Sequence, residues 1–276
     1  MSDNTTRPLV SIGLPTYNRP SGLKVALERI TTQTYPALEI IVSDNHSDNA
    51  ESIISIIDHF ADDRIKFYRQ SSNIGAVPNF NFVLQKSSGE FFMWAADDDY
   101  FESNDIVEKL LTALTSTPEI ALVFPDFNFE DSLGRIQKNV LFNRYSKCVT
   151  AHDYITALCR LGLGNPVYGL YRKSIMTDEL IALNYTDLAY FNEGVFIHSI
   201  FLNFRVKFVS GTHIRYFSSN VFDKISKSII VKDFIRYSFR LIKLYGRSKL
   251  NFKMKCYCIS FLLLKHSFST FRFMLK

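Results

Sequence analysis

Leu9-Val-Ser-Ile-Gly-Leu14 is a short run of apolar and small residues that stops at Pro15, and Leu38-Glu-Ile-Ile-Val-Ser43 is a second run of the same kind. Between them, Leu23, Ala26, Leu27 and Ile30 recur at helical spacing within residues 22–34. Near-continuous apolar runs separated by an amphipathic helix read as strands of a parallel sheet buried on both faces. The alternation continues. Asp48 is the expected N-cap of a helix through Phe60, with Ile53, Ile54, Ile56 and Ile57 supplying its buried face. Arg64-Ile-Lys-Phe-Tyr68 reads as a third strand, residues 77–86 as a helix, and Glu90-Phe-Phe-Met-Trp-Ala95 as a fourth strand. The predicted class is α/β: a Rossmann-like, mostly parallel central sheet with helices on both faces and right-handed crossovers.

Further along, the pattern predicts a helix over 104–116, a strand over 120–124 and an irregular or antiparallel stretch over 125–147. A helix over 152–161, a strand over 167–171, a helix over 193–204 and short strands over 206–209 and 213–217 follow.

Ligands of open α/β sheets bind beyond the carboxyl ends of the strands. That directs attention to Pro15–Asn18, Asp44–Asp48, Asn73–Asn79 and Asp97–Asp99, four polar segments that each follow a strand. Asp97-Asp98-Asp99 leaves the apolar strand Phe91–Trp94 almost directly. Three adjoining carboxylates repel one another unless a cation or solvent compensates. Asp97 and Asp99 can reach one point from an extended chain. Hard ions such as Mg2+ or Mn2+ prefer these oxygen ligands and keep positions open for phosphate oxygens. The plainer reading is an acidic turn favoured at the start of the next helix.

The chain has 276 residues, 47% of them hydrophobic, with 25 Phe and 14 Tyr, which excludes general disorder and allows a sizeable core. Its four Cys have no paired CxxC spacing, so a zinc or thioredoxin-type site is not expected and a reducing, cytoplasmic setting fits. Residues 1–7 are polar and unlike a signal peptide, and the apolar run 256–264 is shorter than the roughly 18 residues of a membrane span. Net charge is +5 but uneven: residues 224–276 carry 13 Lys/Arg against Asp233 alone, while the remainder is net acidic. Lys232, Arg236, Arg240, Lys243 and Arg247 fall on one side of a predicted helix, and Ile230, Phe234, Tyr237, Leu241 and Tyr245 on the other. This C-terminal helical extension, residues 218–276, reads either as a helix packed on the body with a solvated basic face or as a peripheral segment attracted to an anionic membrane surface.

Val10-Ser-Ile-Gly-Leu-Pro-Thr-Tyr-Asn-Arg19, Gln33-Thr-Tyr-Pro36, Glu39-Ile-Ile-Val-Ser-Asp-Asn45, Asn73-Ile-Gly75 and Asp97-Asp-Asp99 together resemble the family 2 glycosyltransferases of the GT-A fold. The resemblance covers residues 8–125, the nucleotide-sugar-binding half. It weakens over 126–217, the acceptor half of the same 1–217 domain, and does not reach the tail. It implies a metal-dependent, inverting transfer from a nucleotide-diphosphate-sugar to a hydroxyl of a glycan, with Mn2+ or Mg2+ as cofactor. By position it implies that Pro15, Thr16, Tyr17, Asn18, Asp44, Asn73, Asn79, Asp97 and Asp98 meet the donor, with Asp44 addressing the base. Asp99, with Asp97, would hold the metal. Two departures, Ser43 before Asp44 and Pro78 where the family often has an Arg, leave the donor base open.

Inversion needs a base beside the acceptor hydroxyl. By the family's pattern this is Glu193, at the start of a predicted helix, with Asp187 as the alternative. The family's habits imply surface polysaccharide or lipid-linked glycan synthesis, in the cytoplasm or peripherally at the inner face of the cytoplasmic membrane. No specific nucleic-acid partner is expected. Two rival functions remain at this stage: a nucleotidyltransferase, which would carry a Gly- and Lys/Arg-rich phosphate loop where this chain has Pro15–Arg19, and a non-catalytic sugar- or nucleic-acid-binding module.

Overall fold

A computed structural model of the chain describes residues 7–130, 134–138, 142–161, 165–181, 192–217 and 227–261. The first half alternates as the apolar pattern predicts: β1 (Val10–Thr16), α1 (Pro20–Thr31), β2 (Leu38–Asp44), α2 (Ala50–Phe60), β3 (Ile65–Arg69), α3 (Ala76–Lys86) and β4 (Phe91–Trp94). Every residue of β1, β2 and β4 is buried, which is why their sequences are continuous rather than alternating. β3 lies at the sheet edge and is only half-buried. The second half adds β5 (Asp99–Phe101), α4 (Ile106–Thr115), β6 (Ile120–Glu130), β7 (Ile136–Lys138), α5 (Ala151–Leu161), β8 (Leu170–Arg172), α6 (Asp178–Ile181), α7 (Asn192–Asn203), β9 (Arg205–Phe217) and α8 (Lys227–Arg247). A further helical run covers 252–261.

Among the described residues one nine-stranded sheet runs in the order β3-β2-β1-β4-β8-β6-β9-β5, with β7 paired to β6. β3, β2, β1 and β4 are parallel. β8 is antiparallel to both β4 and β6, so β6 and its parallel neighbour β9 point the same way as the first four. β5 and β7 run against them, which makes the sheet mixed but mostly parallel.

Several local expectations change. Asn49, not Asp48, caps α2: its side chain accepts from the Ser52 N–H. Asp48 is drawn away by Asn18. Ile54 is 41% exposed, so the buried face of α2 centres on Ile53. The 125–147 stretch continues β6 to Glu130 and turns back as β7. Residues 165–168 form a helical turn, and the strand there starts at Leu170. The two short strands 206–209 and 213–217 are one strand, β9, interrupted by a bulge opposite Pro125/Asp126.

The apolar side of α8 packs inward. Tyr237, Leu241 and Tyr245 are buried against the body, and α8 lies on α7. Phe239 is 67% exposed on the outer side, among the bases. No helix among the described residues is long and apolar enough to cross a membrane.

Candidate active site

The carboxyl edge is set by register. Thr16, Asp44 and Arg69, the last residues of β1, β2 and β3, stand side by side. Neighbours in register on parallel strands direct their side chains to the same face, so the Arg69 guanidinium meets the Asp44 carboxylate. Asp44 is fully buried and also accepts from the Ser47 N–H at 3.0 Å and the Ser47 hydroxyl at 2.5 Å. Arg69 completes the loop by donating to the Ser47 carbonyl at 2.9 Å. Nothing in the local sequence marks Arg69. It supplies a cation on this edge.

The loops beyond these strands are knitted to one another. Asn18 takes a left-handed φ of 55°, which Asn tolerates, and its amide exchanges two 2.8 Å hydrogen bonds with Asp48. Its N–H donates to the Ser47 hydroxyl at 2.7 Å. The Asn45 amide donates to Asn73 at 2.9 Å and accepts from the Ile74 N–H at 2.9 Å, tying the loop after β2 to the loop after β3. Asn79 is buried and spends both ends of its amide on Ser43, at 2.6 and 3.0 Å. It therefore fastens α3 beneath the edge. Tyr17 is 40% exposed and presents its ring at the rim.

On the other side of β1, the Thr16 hydroxyl donates to Asp97 at 2.7 Å. Arg19 reaches across from the start of α1 and bridges Asp97, at 3.1 Å, and Asp98. Burial raises the Asp97 pKa, opposed by the Thr16 hydrogen bond and the charge of Arg19. Gly22 makes this approach feasible: a Cβ there would lie 2.0 Å from the Asp97 carbonyl oxygen. Asp99 opens β5 in register with Tyr216. Arg215, one position along β9, donates to Glu102 at 2.9 Å and so pins the far end of β5. The Asp99 side chain and the whole of Asp187 lie outside the described residues.

Glu193 occupies the first turn of α7. Glu193 is exposed, and partial desolvation by the surrounding protein raises its pKa. Phe196, one turn on, packs edge-on against Trp94 at 5.9 Å, and Trp94 precedes Asp97 by three positions. The first turn of α7 and the exit of β4 are thus neighbours. The arrangement combines buried carboxylates, two arginines, an exposed aromatic ring and a separate carboxyl in the first turn of α7.

The model of "Glycosyl transferase family 2" matches residues 11–178. The chain is 40% identical over 94 residues to a Campylobacter jejuni GalNAc(5)-diNAcBac-PP-undecaprenol beta-1,3-glucosyltransferase, covering 33% of this chain and 30% of that protein. It is 29% identical over 153 residues to an uncharacterised Haemophilus influenzae glycosyltransferase, covering 55% and 57% of the two. The chain therefore spans well under two thirds of these relatives. In three dimensions it resembles S. aureus TarS, solved with UDP, with a TM-score of 0.70 and 17% identity over 94% of this chain and 71% of that one. It also resembles the mannosyltransferase PcManGT from Pyrobaculum calidifontis, solved with GDP-Man and Mn2+, with a TM-score of 0.60 and 16% identity over 98% and 74%. Both similarities establish the GT-A fold. With the matched segment running from β1 through the loops of the carboxyl edge and on to α6, the chain belongs to glycosyl transferase family 2.

Proposed function

We propose that this chain is a metal-dependent, inverting glycosyltransferase that moves a sugar from a nucleotide-diphosphate donor to a glycan hydroxyl. The observation that carries the reading is the Thr16-Asp44-Arg69 row, continued through Thr16 to Asp97. It gathers the loops after four strands on one charged edge, beside an exposed Tyr17 ring. In this reading Tyr17 stacks on the base and Pro15 and Thr16 shape the floor, while the fully buried Asp44, its oxygens taken by Ser47 and Arg69, orders the loop beneath the base rather than accepting from it. Asn18, Asn73 and Asn79 hold the loops against the donor, and Asp97 and Asp98 meet its ribose and sugar.

The acids suit a hard divalent ion. Asp97 and Asp98 already share one cationic partner, Arg19, and offer only oxygen ligands. Asp97 and Asp99 would hold Mn2+ or Mg2+, which when bound neutralises charge on the leaving diphosphate.

Glu193 acts as the base, with Asp187 as the alternative. Its carboxylate takes the acceptor hydroxyl proton as the acceptor oxygen bonds to the anomeric carbon. The bond to the diphosphate breaks on the opposite side, its electron pair leaving with the diphosphate. A raised pKa suits a group that must hold that proton.

A lipid-linked acceptor, in surface polysaccharide or related glycan synthesis, is favoured by the outer face of α8. There Ile235 and Phe239 are exposed among Lys232, Lys243 and Arg247. Such a face would hold the enzyme peripherally on the inner side of an anionic membrane.

Thermal-shift screening of UDP-, GDP- and dTDP-sugars with and without Mn2+ tests the reading. A metal-dependent shift with one donor, lost in Asp99→Ala, is expected. Glu193→Gln should bind that donor and fail to transfer. In the wild type, activity should climb as pH rises through the raised Glu193 pKa, because only the ionised carboxylate accepts a proton. No shift with any donor, or full turnover of Asp99→Ala under chelator, overturns it. Flotation with anionic but not neutral vesicles, lost on deleting 224–276, tests the membrane face.

A further inference from the structure

Helix α8 reaches back to the turn that carries Glu193. Tyr237, midway along it, is 5% exposed and its ring rests on Gly194. A Cβ at Gly194 would stand 2.5 Å from the phenol oxygen and 2.8 Å from two ring carbons, a fit only glycine permits. Farther along the same pair of helices, the Tyr245 hydroxyl lies 2.7 Å from His198 Nδ1, and it also lies 3.2 Å from Cys159 Sγ on α5. Tyr245, His198 and Cys159 are all buried. Burial raises the Tyr237 pKa, with smaller contributions from Cys159 and Glu193, so the phenol keeps its proton.

The first turn of a helix lacks intrahelical partners for its N–H groups and is the part most prone to fray. A base built there needs outside support, because small displacements of a catalytic group cost large factors in rate. Gly194 lends no side chain of its own to pack. The ring of Tyr237 fills that space from another element.

We propose that Tyr237 is a positioning residue for Glu193: its ring, seated on Gly194, fixes the first turn of α7 and aims the carboxylate at the acceptor hydroxyl. The inference rests on the reading of Glu193 as the base. It makes α8 part of the active site rather than an appendage.

The test measures release of nucleoside diphosphate from whichever UDP-, GDP- or dTDP-sugar gives the metal-dependent thermal shift, as a function of pH. Tyr237→Leu should lower kcat about tenfold or more, with donor KM within about twofold. Its acid limb should move to lower pH, because losing the ring removes part of the desolvation that raises the Glu193 pKa. Tyr237→Phe, which keeps the ring, should stay within about threefold of wild type with an unmoved limb. Gly194→Ala should lose activity as Tyr237→Leu does, and the double variant should be no worse than Tyr237→Leu alone. If Tyr237→Leu does not fold, Gly194→Ala decides: a wild-type kcat and acid limb in the folded Gly194→Ala protein overturn the proposal. Wild-type kcat and limb in folded Tyr237→Leu, or equal losses in turnover and donor affinity, overturn the proposal. Full activity of Glu193→Gln removes the base itself. An inactive Glu193→Gln beside unaffected Tyr237 variants removes only the positioning role.

Discussion

The Thr16 hydroxyl donates a 2.7 Å hydrogen bond to the buried carboxylate of Asp97, joining the last residue of β1 to the loop beyond β4 across 81 positions of sequence. A hydrogen bond to a buried charged group contributes more than one between neutral partners. Thr16→Val keeps the side-chain shape and removes the donor. It should weaken Mn2+-dependent binding of the nucleoside diphosphate by roughly tenfold, about 1.4 kcal/mol, while Thr16→Ser retains most of it. Isothermal titration decides the matter, and equal affinities for the Val and Thr proteins would show that this contact does not organise the donor site.

Gly22 is required by a close approach. A Cβ at 2.0 Å from the Asp97 carbonyl oxygen cannot be accommodated without moving either α1 or the chain leaving β4. Gly22→Ala should cost about 1–3 kcal/mol in denaturant unfolding and weaken donor binding as well. Gly246 provides the contrast, since no atom lies within 4 Å of the added methyl. Gly246→Ala, near the end of α8, should raise stability by roughly 0.5–1 kcal/mol.

The Asp44 carboxylate is fully buried, and Arg69 is its cationic partner. Removing one member of such a pair leaves an uncompensated charge. Arg69→Ala should therefore destabilise by roughly 3 kcal/mol, more than Asp44→Asn does, because the neutral amide can still engage Ser47. Thermal or urea melts of the two variants make the comparison, and a milder effect for Arg69→Ala contradicts the account.

Glu39 lies at the opposite end of β2 and provides a pH-dependent term. Burial opposes its ionisation, but hydrogen bonds from Lys66 at 2.6 Å, Ser11 at 2.5 Å and Ser88 at 2.5 Å outweigh that and lower its pKa to about 2. A carboxyl with a depressed folded-state pKa stabilises above its unfolded value, near 4.5, and loses that contribution as pH falls toward 2. Lys66 is 48% exposed, so its own share is discounted for solvent screening. Glu39→Gln should cost on the order of 2 kcal/mol at pH 7 and almost nothing at pH 2. Parallel pH–stability curves for the two proteins would refute this.

The first half of the fold could be read from the chain because its evidence is local. Strands buried on both faces must be continuously apolar, as β1, β2 and β4 are, and polar loops must follow them at the carboxyl edge. The Asp97–Asp99 triplet stands out for the same reason, its acids abutting an apolar strand. Errors arose where a local signal had a distant competitor. Asp48 looks like a cap, yet Asn18 claims its carboxylate and Asn49 caps instead. The bulge that joins residues 206–209 to 213–217 depends on the pairing of β9 with β6, which no local pattern carries.

Composition and periodicity were thus sufficient for the α/β class, the carboxyl-edge location of the acids and the two-sided character of α8, since each follows from which residues must avoid water. Arg69 beside Asp44, Arg19 across Asp97 and Asp98, and Tyr237 on Gly194 were settled by folding alone. Those contacts depend on strand register and on helix packing between segments far apart in the chain, and a linear pattern contains neither distance.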